Sequence, residues 1–577
     1  MGVGGKFWDV LKPYGKQEGH DFLRDKWVAV DLSYWVVQHE TALKKKIGVH
    51  GHQPRNPHLR LTFFRTLNLF SKFGAFPIFV VDGTPSPLKS KARILRFFQA
   101  SGIDRSSSSL PKEGLSVERN RVFNKCVREC VELLKLLGIP VLKAKGEAEA
   151  LCAQLNKDGH VDACITADSD AFLFGAKCVI KCIHPNSREP FECYCISDIE
   201  GGLGLKRNHL IAISLLVGND HDLGGVRGIG IETAIRFTSS YSEDEILNRL
   251  IEMGNRDGPF SEDVGLGCMD DPPEKPIGFK CNCSSCSCEP ERKLKEQKKK
   301  EIWKIKVCNR IICEPGFPKT EIIEMYLGDD NGYFPVEDGP CLSWERLNEE
   351  MVVEFLVYHQ NWEPSYVRQK LLMMHSTLYL REAAATKLDG RLLCGKYEFN
   401  SIKRVKVRNG VKSFVVKWMK PASIGGSFAC ETPDRRADFE DDVVEMNEME
   451  DNFDEPDEPQ VYVDDGCCFL LTDEHMDLVK SAFPEEVRKF FAEKEQKDSS
   501  RRKSGNSTPH GPRSTNSKSR GVQTSITEFF RSTKVGNRGM SGDITPGSAD
   551  VGASSKVKRK DTRLKPSKSV RRRLLFG

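Results

Sequence analysis

The sequence predicts an α/β fold with a mainly parallel, twisted sheet that is flanked by helices. Three apolar runs, at residues 27–30, 76–81 and 161–166, have the composition of buried strands. Segments with helical periodicity separate these runs, and such alternation is typical of a parallel sheet whose strands are connected through helices. An aspartate follows each run within two residues, so the strands share a chemical feature as well as a pattern.

The segment 118–137 is predicted to form a helix, because apolar residues recur at helical spacing and Gly138 supplies the expected stop. The next helix is expected to begin near Gly146. Glu147 then lies at or before its first turn and Glu149 lies within it, where the backbone is still leaving a non-helical conformation. Both carboxylates can therefore face one point although they are two residues apart, and the helix dipole favours negative charge there.

Further acids occupy comparable places in the chain. Asp31 and Asp82 end apolar runs, Asp168 and Asp170 follow the third run, and Asp220 follows the letters "LLVGN". The carboxyl ends of parallel strands meet at one edge of a sheet, where α/β proteins bind ligands. A single aspartate after a strand is most often a turn former or a helix cap, but that explanation does not account for a matching set. The acids expected to gather are Asp31, Asp82, Glu147, Glu149, Asp168, Asp170 and Asp220.

Seven carboxylates at one sheet edge repel one another unless cations lie between them. Sites made of carboxylate oxygens suit Mg²⁺, with Mn²⁺ as a substitute, and these ions complete their coordination with water and substrate phosphate. Two such ions a few ångströms apart activate a water and stabilise the leaving oxygen of a phosphodiester. The sequence therefore predicts a two-metal site for phosphodiester hydrolysis.

Six motifs occur in a specific order: "MGV", "AVDLS", "FVVDGTPSPLKSKARILR", "GEAEA", "TADSDAFLFG" and "GNDHDLGGVRGIG". In combination they resemble the XPG-type flap-endonuclease superfamily over residues 1–380. The resemblance implies a PIN-like nuclease core that cuts DNA at 5′-flaps and branched junctions. It places an N-terminal nuclease region at 1–97, an internal nuclease region at 118–222, and a helix-two-turn-helix with a helical extension at 223–380.

The resemblance also implies roles for individual residues. The seven acids would bind the two metal ions, with Asp168 counted among the catalytic residues. A free amino group on Gly2 would lie near the DNA backbone. Lys89 and Arg96 match the two basic residues of the family's gateway helix, where they would hold and polarise the scissile phosphate. A solvated helix face is the alternative explanation for these two basic residues.

The segment after Asp220 resembles the family's helix-two-turn-helix, which grips duplex DNA and binds a monovalent cation such as K⁺. Gly228 and Gly230 would let backbone amides approach a phosphate ahead of a helix expected to begin near Ile231. An ordinary helix-turn-helix loop is the alternative for these glycines. The spacing around Asp220 is one residue longer than in similar flap enzymes, so Asp222 is an alternative metal ligand.

Residues 390–430 resemble a chromodomain. Apolar and polar residues alternate on both sides of Asn409-Gly410, a strong signal for a tight hairpin. Inside the superfamily this module points to the GEN-like branch of Holliday junction resolvases and plant single-strand DNA endonucleases, and to a homodimer on junctions. Trp418 fits an aromatic cage, but Pro421 stands where another cage aromatic is expected, so contact with the DNA backbone is favoured. A purely structural β-hairpin is the alternative.

Two segments of opposite charge follow. Residues 431–460 hold 14 acidic and 2 basic side chains, and residues 501–577 hold 19 basic and 4 acidic ones. An acidic linker at 431–460 and a basic tail at 500–577 are therefore expected to be disordered. The letters "QTSITEFF", at 523–530, fit the pattern of sliding-clamp ligands. The anchors of this clamp-binding motif would be Gln523, Ile526, Phe529 and Phe530.

The basic letters "KVKRK" and "VRRRLL" favour a nuclear protein, with nonspecific attachment to DNA as the electrostatic alternative. No membrane-spanning run or secretory signal is expected, so the 20 cysteines are interpreted as reduced thiols. A loop insertion predicted at 241–300 contains a Cys-rich stretch that lacks the usual second spaced pair of a zinc site. Its cysteines are Cys281, Cys283, Cys286 and Cys288.

The combined interpretation is a Mg²⁺-dependent, structure-selective DNA endonuclease of repair and recombination that resolves Holliday junctions. A monomeric 5′-flap endonuclease of replication is an alternative, which the clamp-like motif favours and the chromodomain-like segment disfavours. A catalytically silent scaffold that binds junctions is a further alternative, and the intact set of acids argues against it.

Overall fold

A computed structural model describes residues 3–4, 6–36, 56–84, 86–89, 113–256, 289–328, 342–385, 392–408, 410–420, 459–464 and 467–504. The described chain up to Phe490 belongs to one compact unit. A second unit begins at Phe491 and is described only as far as Ser504. No helix within these ranges combines the length and the apolar character needed to cross a membrane.

The strands form a seven-stranded sheet and a separate four-stranded sheet. The strands of the larger sheet are β1 Lys16–Glu18, β2 Trp27–Asp31, β3 Phe76–Val81, β4 Val141–Lys143, β5 Ala163–Ile165, β6 Cys178–Ile183 and β7 Phe191–Cys195. The strands of the smaller sheet are β8 Glu398–Arg408, β9 Val411–Met419, β10 Gln460–Asp464 and β11 Cys467–His475.

The larger sheet has the order β1-β7-β6-β5-β2-β3-β4. Neighbours from β6 to β4 run parallel, and β7 and β1 extend the other edge in antiparallel pairing. Parallel neighbours need crossover connections, which the helices between the strands provide. The prediction of a mainly parallel α/β sheet is confirmed.

The helices are α1 Phe7–Leu11, α2 Pro57–Leu67, α3 Glu113–Leu136, α4 Ala148–Lys157, α5 Asp170–Leu173, α6 Ile196–Leu203, α7 Arg207–Val217, α8 Ile231–Thr238, α9 Glu243–Gly254, α10 Glu289–Ile312, α11 Thr320–Leu327, α12 Glu349–Gln360, α13 Pro364–Ala385, α14 Met476–Ala482 and α15 Pro484–Ser504. Residues 32–36 and 87–89 are also helical. Short 3₁₀ and π turns occur at Lys12–Tyr14, His20–Leu23 and Asn68–Lys72.

Both faces of the larger sheet are buried. In the central strand β2, Val28 and Val30 pack in one apolar cluster while Ala29 packs in another. In β3, Phe79 joins the cluster of Val28 and Val30, and its neighbour Ile78 joins the cluster of Ala29. Successive side chains of a strand point to opposite faces, so this alternation shows helices covering the sheet on both sides.

Gly138 ends α3 for two physical reasons. Its φ of 75° lies in the left-handed region, which favours glycine at a helix stop. A side chain at this position would also place its Cβ 2.3 Å from the carbonyl oxygen of Glu345. The chain can therefore turn from α3 towards β4, as the sequence predicted.

The C-terminal module is larger than the predicted chromodomain-like segment 390–430. Its antiparallel sheet has the order β10-β11-β9-β8, so two of its strands come from beyond residue 430. The hairpin expected around Gly410 is present between β8 and β9. The described part of the predicted acidic linker, residues 459–460, leads into β10, and α15 makes the start of the predicted disordered tail helical.

The structure does not place Trp418 in an aromatic cage, which agrees with the doubt raised by Pro421 in the sequence. Its side chain is fully buried in the module, and its indole nitrogen donates a hydrogen bond of 2.8 Å to Oγ1 of Thr472 in β11. The rings of Tyr379 and Phe399 pack edge-on against it. A tryptophan enclosed in this way holds the sheet together and cannot receive a ligand, while Pro421 lies outside the described residues.

The prediction of a loop insertion at 241–300 is wrong at both ends of this range, because both ends are helical. Helix α9 occupies its beginning and α10 covers its last residues. In α9, Ile246, Leu247, Leu250 and Met253 are buried, which is a one-sided helical pattern within an otherwise charged segment. The four clustered cysteines at 281–288 lie outside the described residues.

Candidate active site

Three acids meet at the carboxyl edge of the larger sheet. Asp31 is the last residue of β2, Asp82 directly follows β3, and Asp168 follows β5. Because β2 lies between β3 and β5, these three acids come from adjacent strands. Asp31 and Asp168 are buried, whereas Asp82 is exposed. The Asp82 carboxylate accepts hydrogen bonds from Ser33 Oγ at 2.6 Å and from the backbone of Ala148 at 2.8 Å.

Glu147 and Glu149 face a common cation, Lys89. Glu147 caps α4 in an extended conformation, with φ −95° and ψ 142°, and Glu149 lies in the first helical turn. The Nζ atom of Lys89 is 2.7 Å from Oε1 of Glu147 and 3.4 Å from Oε1 of Glu149. The change of backbone conformation between the two glutamates therefore overcomes their two-residue spacing, as expected from the sequence.

Asp168 and Asp170 are arranged by a compact turn. The hydroxyl of Thr166 accepts a hydrogen bond from the backbone of Asp168 at 3.1 Å, and Oδ1 of Asp168 accepts one from the backbone of Asp170 at 3.0 Å. The hydroxyl of Tyr326 in α11 donates to Oδ2 of Asp170 at 2.9 Å. These hydrogen bonds hold both acids in position. Each acid keeps one carboxylate oxygen that takes no part in them, Oδ2 in Asp168 and Oδ1 in Asp170.

Asp220 and Asp222 have different surroundings. Asp220 is buried, and its charge is one of the causes that raise the pKa of both Asp168 and Asp170. Asp222 is half-buried and forms an ion pair of 2.8 Å with Nζ of Lys319. The structure thus brings Asp220 into the acid cluster and pairs Asp222 with a lysine outside it.

The sequence analysis missed two buried residues of this cluster, Tyr326 and His221. The ring of His221 lies between Ser86, whose hydroxyl is 3.2 Å from Nδ1, and Glu147, whose Oε2 is 3.7 Å from Nε2. The histidine adjoins Asp220 in the motif "GNDHD", which was the signal available for it. No sequence signal marks Tyr326, because its partner Asp170 is 156 residues away.

The cluster is strongly anionic and poorly hydrated. Burial, followed by repulsion from Asp82, raises the pKa of Asp31 to about 7. Burial raises the pKa of Asp168 to about 6, and it raises the pKa values of Asp170 and Glu149 well above their ordinary range. Burial opposes the charge of Lys89, yet the carboxylates of Glu149 and Glu147 raise its pKa. Such a site favours any cation that can replace the missing solvent.

The residues present fit divalent metal ions of the Mg²⁺ class. Every carboxylate donor in the cluster is an oxygen, which is the donor set that Mg²⁺ and Mn²⁺ prefer. Within the described chain, Oδ1 of Asp170 is buried and accepts no hydrogen bond. A buried carboxylate oxygen without a partner is costly, and a bound cation removes that cost.

The start of the chain lies beside the acids. The backbone of Val3 donates to Oγ of Ser169 at 3.1 Å, and the backbone of Gly4 donates to the carbonyl of Gly218 at 2.8 Å. Gly2 itself lies outside the described residues, as do Arg96 and the clamp-like motif at 523–530. Of the predicted basic residues, the structure therefore places Lys89 in the site.

Helices α7 and α8 flank the segment that is predicted to form a helix-two-turn-helix. Gly230 caps α8, which begins at Ile231 as expected, and Gly228 has a φ of 76°. Both glycines are exposed. The carbonyl of Gly228 accepts a hydrogen bond of 2.7 Å from Arg310 in α10, a contact that the sequence did not indicate.

Two family models match the regions that contribute the acids. Residues 1–99 match the XPG N-terminal domain, which includes Asp31 and Asp82, and residues 138–220 match the XPG I-region, which includes the other five acids. The parallel sheet and the acid-lined edge agree with these matches. Fold and site together define an XPG-type nuclease.

Similarity extends over the whole chain. Flap endonuclease GEN-like 1 of Arabidopsis thaliana is 52% identical, and the alignment covers 100% of both chains. The chain belongs to the GEN-like flap endonuclease family. Human GEN1, solved in complex with Holliday junction DNA, aligns with a TM-score of 0.58 at 25% identity over 86% of this chain and 100% of that chain. A GEN1 complex with product DNA and a Mg²⁺ ion aligns with a TM-score of 0.50 at 17% identity over 85% and 100% of the chains, which shows the fold alone.

Proposed function

We propose that this protein is a structure-selective DNA endonuclease that hydrolyses phosphodiesters at 5′-flaps and branched junctions, including Holliday junctions. The observation that carries the proposal is the buried acid cluster around Lys89 at the carboxyl edge of the sheet. The names of the GEN-like relative and of the human GEN1 junction complex support the same substrate class. Action in the nucleus follows from this function and from the basic C-terminal stretches.

Two Mg²⁺ ions, with Mn²⁺ as a substitute, would be held by the acids of the cluster. Bound there, the ions would supply Lewis-acid stabilisation of a phosphodiester and a water of lowered pKa. The proposed ligands are Asp31, Asp82, Glu147, Glu149, Asp168, Asp170 and Asp220, with Asp222 disfavoured because Lys319 pairs with it.

The remaining residues would position the DNA strand. Lys89 reaches the centre of the cluster, so its ammonium group can hold a non-bridging oxygen of the scissile phosphate and oppose its negative charge. Arg96, on the same predicted gateway helix, would contact the same phosphate. Tyr326 keeps Asp170 oriented through its hydroxyl, and the low exposure of the cluster limits competing water.

Contacts away from the cut would select DNA shape. The exposed backbone at Gly228 and Gly230 would bind phosphates of the duplex, which fixes the register without reading bases. A K⁺ ion would be held by carbonyl oxygens of the same turn other than that of Gly228, which Arg310 occupies. The amino terminus at Gly2 would lie near the DNA backbone, because Val3 is fixed beside Ser169.

Two assemblies belong to the same proposal. Two copies of the chain would bind one four-way junction as a homodimer, each cutting one strand. The letters "QTSITEFF" would bind a sliding clamp through Gln523, Ile526, Phe529 and Phe530. Each assembly has its own readout: paired cleavage for the dimer, and pull-down by the clamp for the motif.

The first experiment compares cleavage of a synthetic 5′-flap and of a plasmid cruciform by the purified full-length protein with Mg²⁺. Relaxation after a single nick reabsorbs the cruciform, so only paired nicks give a linear, symmetrically cut product. Linear product supports junction resolution by a dimer. Nicked circles combined with efficient flap cutting would replace that conclusion with a monomeric flap endonuclease.

The catalytic assignment is tested with Asp168→Asn, which keeps an acceptor oxygen for the backbone of Asp170 but removes the charge. Cleavage of both substrates should be lost while junction binding in Ca²⁺ remains. Asp158→Asn, at an exposed position after α4, is the matched control. Cleavage that survives Asp168→Asn would overturn the metal assignment, and loss of both cleavage and binding in the control would point to misfolding.

A further inference from the structure

A second group of metal-binding side chains lies far from the acid cluster in sequence. Glu349 at the start of α12, His375 in α13 and Cys394 ahead of β8 each offer one ligand atom, and these three atoms lie within 4.8 Å of one another. The Nε2 atom of His375 is already 3.0 Å from Oε2 of Glu349. All three side chains are half-buried, and the Nε2 atom of His375 is itself buried.

The three ligand atoms surround a point that suits zinc. Atoms within 4.8 Å of one another share a centre no more than ~2.8 Å from each, against ~2.0–2.3 Å for zinc bonds to nitrogen, oxygen and sulfur. Movements of each ligand atom by no more than ~0.5–0.8 Å, through side-chain rotation, close that difference. Thiolate, imidazole and carboxylate are the donors that zinc uses in proteins, and three protein ligands leave a fourth tetrahedral position for water.

The surrounding residues hold two of the ligands in place. The Nε atom of Arg368 lies 3.6 Å from Oε1 of Glu349, and the other carboxylate oxygen, Oε2, faces His375. Cys394 has a φ of 52°, which is unusual for a residue with a side chain, and Gly395 follows it with a φ of 64°. The turn is fixed by hydrogen bonds from Gly395 to Leu392 and from Tyr397 to Leu393. A conformation of this kind persists where neighbouring structure requires it, and here it presents the thiol to His375.

We propose that Glu349, His375 and Cys394 bind one Zn²⁺ ion, with water as the fourth ligand, and that this ion fastens the C-terminal module to the helical extension. The three ligands come from two helices of that extension and from the turn that begins the module. A neutral imidazole, a carboxylate and a thiolate together carry two negative charges, which balance the charge of Zn²⁺.

A simple ion pair between His375 and Glu349 is the competing explanation. It accounts for the 3.0 Å contact, but it requires neither a thiol at the same point nor the left-handed backbone at Cys394. The two explanations differ in a measurable way, because an ion pair binds no metal. The zinc proposal is also independent of the proposed nuclease activity, since none of its ligands belongs to the acid cluster.

The test measures zinc in the full-length protein. Cys281, Cys283, Cys286 and Cys288 could bind zinc themselves, so all four are first replaced by serine to give a background variant. This background is equilibrated with zinc, passed over a desalting column and analysed by inductively coupled plasma mass spectrometry. Adding Cys394→Ser should lower the zinc content by one equivalent per chain, while adding Cys313→Ser, at an exposed cysteine after α10, should leave it unchanged.

A spectroscopic measurement covers the case in which Cys394→Ser fails to fold. Cobalt replaces zinc in the background variant, and a thiolate-to-cobalt charge-transfer band of one-thiolate intensity is expected. A background variant that retains no zinc, or whose zinc content is unchanged by Cys394→Ser in a folded protein, overturns the proposal, as does a cobalt spectrum without a thiolate band.

Discussion

At the scale of single residues, Lys89 is the group that unites the two glutamates of α4. Its ammonium lies within 3.4 Å of both carboxylates, although Glu147 has an extended backbone and Glu149 a helical one. In the absence of divalent ions it is the cation that compensates this part of the cluster. Under the proposed function, the same charge would be available to the scissile phosphate when ions and DNA are bound.

Replacing Lys89 with glutamine should lower the single-turnover cleavage rate by ~10²-fold, because one charged donor to the phosphate is lost. Junction affinity should change little, since most binding energy comes from distant phosphate contacts. Quenched-flow cleavage of a labelled 5′-flap measures the rate, and a binding titration measures the affinity. Lys135→Gln, on the exposed side of α3, serves as the control. An unchanged rate in the Lys89 variant would remove this residue from the mechanism.

Cys178 and Cys195 form a cross-strand pair on β6 and β7. Their sulfur atoms lie 3.8 Å apart, and Cys195 precedes α6 as its N-cap. The side-chain contact with Cys178 lowers the pKa of Cys195 to about 7, while the same contact raises the pKa of Cys178. The thiolate form, which is the nucleophile, is therefore populated at Cys195 near neutral pH.

Cys195 should thus react with iodoacetamide faster than the other described cysteines, with a rate that rises through about pH 7 as its thiolate forms. Peptide mass spectrometry after short alkylation pulses identifies the site and its pH profile. The Cys178→Ala variant should move that profile to higher pH, because the contact that lowers the pKa of Cys195 is lost. A reaction at Cys195 that begins only at the pH of an ordinary thiol would contradict this assignment.

Sequence reasoning located the acids but not their supporting residues. Asp31 and Asp82 could be predicted because each ends an apolar run, and a parallel sheet brings such ends together. His221 and Tyr326 reach the cluster through tertiary packing. No local periodicity or spacing encodes a contact between residues so far apart, so only the folded chain reveals them.

At the scale of elements, the C-terminal module shows how composition can conceal a strand. The hairpin of β8 and β9 was predicted from its alternation and its Asn-Gly turn. Strands β10 and β11 were missed because a strongly acidic segment separates them from that hairpin. Their place is explained by packing: Leu470 of β11 joins Trp418 and Phe414 of β9 in the buried core of the module.

Helix α9 was missed for a related reason. Charged residues dominate its segment, and the apolar residues occupy a single face that is recognised only once α7 and α10 are known to pack there. Composition averaged over the segment therefore favoured a loop, whereas its periodicity supports a helix.

Glu474 of β11 is buried in the same module, and burial raises its pKa to about 7. From about pH 4.5 to about pH 7 the folded protein keeps the proton that the unfolded chain has lost. The contribution of Glu474 to the free energy of unfolding should therefore fall as the pH rises through this range, by at most ~3 kcal/mol, and then stay constant. The protonated Glu474 carboxyl contributes its full stabilisation of the folded state only below about pH 4.5.

The Glu474→Gln variant should be less dependent on pH across this window, because a neutral amide replaces the titrating group. Urea unfolding of wild type and variant at about pH 5 and about pH 8 measures the difference. Glu354→Gln, at an exposed position of α12, should show the same pH dependence as wild type. Equal pH dependence in the Glu474 variant and wild type would show that the carboxyl is ionised in the folded state.

At the scale of the whole molecule, charge is divided along the chain. The nuclease edge and residues 431–460 are anionic, whereas residues 505–577 contain 16 basic and 4 acidic side chains. The acid cluster must receive a polyanion, so the affinity for DNA has to come from cationic groups elsewhere. The tail is the largest such group in the sequence.

A chain ending at Ser504 should therefore bind DNA with a smaller dependence on salt, because fewer counterions are released. The cleavage rate of a bound flap should be unchanged, since every proposed metal ligand lies before residue 223. Binding titrations over a series of salt concentrations give the slope of log affinity against log salt. A full-length variant with glutamine at the tail's basic positions separates charge from length. An unaltered slope in both proteins would exclude the tail as a DNA-binding element.

The hydrogen bond between Tyr326 and Asp170 has a consequence for the order in which the protein matures. The acids and the strands that carry them are complete by residue 220, but the group that orients Asp170 is synthesised 156 residues after it. A nascent chain can therefore assemble its sheet while this carboxylate still lacks its tyrosine partner. Because distant contacts form late, recovery of activity during refolding should lag behind recovery of secondary structure. The protein would thus become a competent nuclease only after most of its first compact unit has left the ribosome.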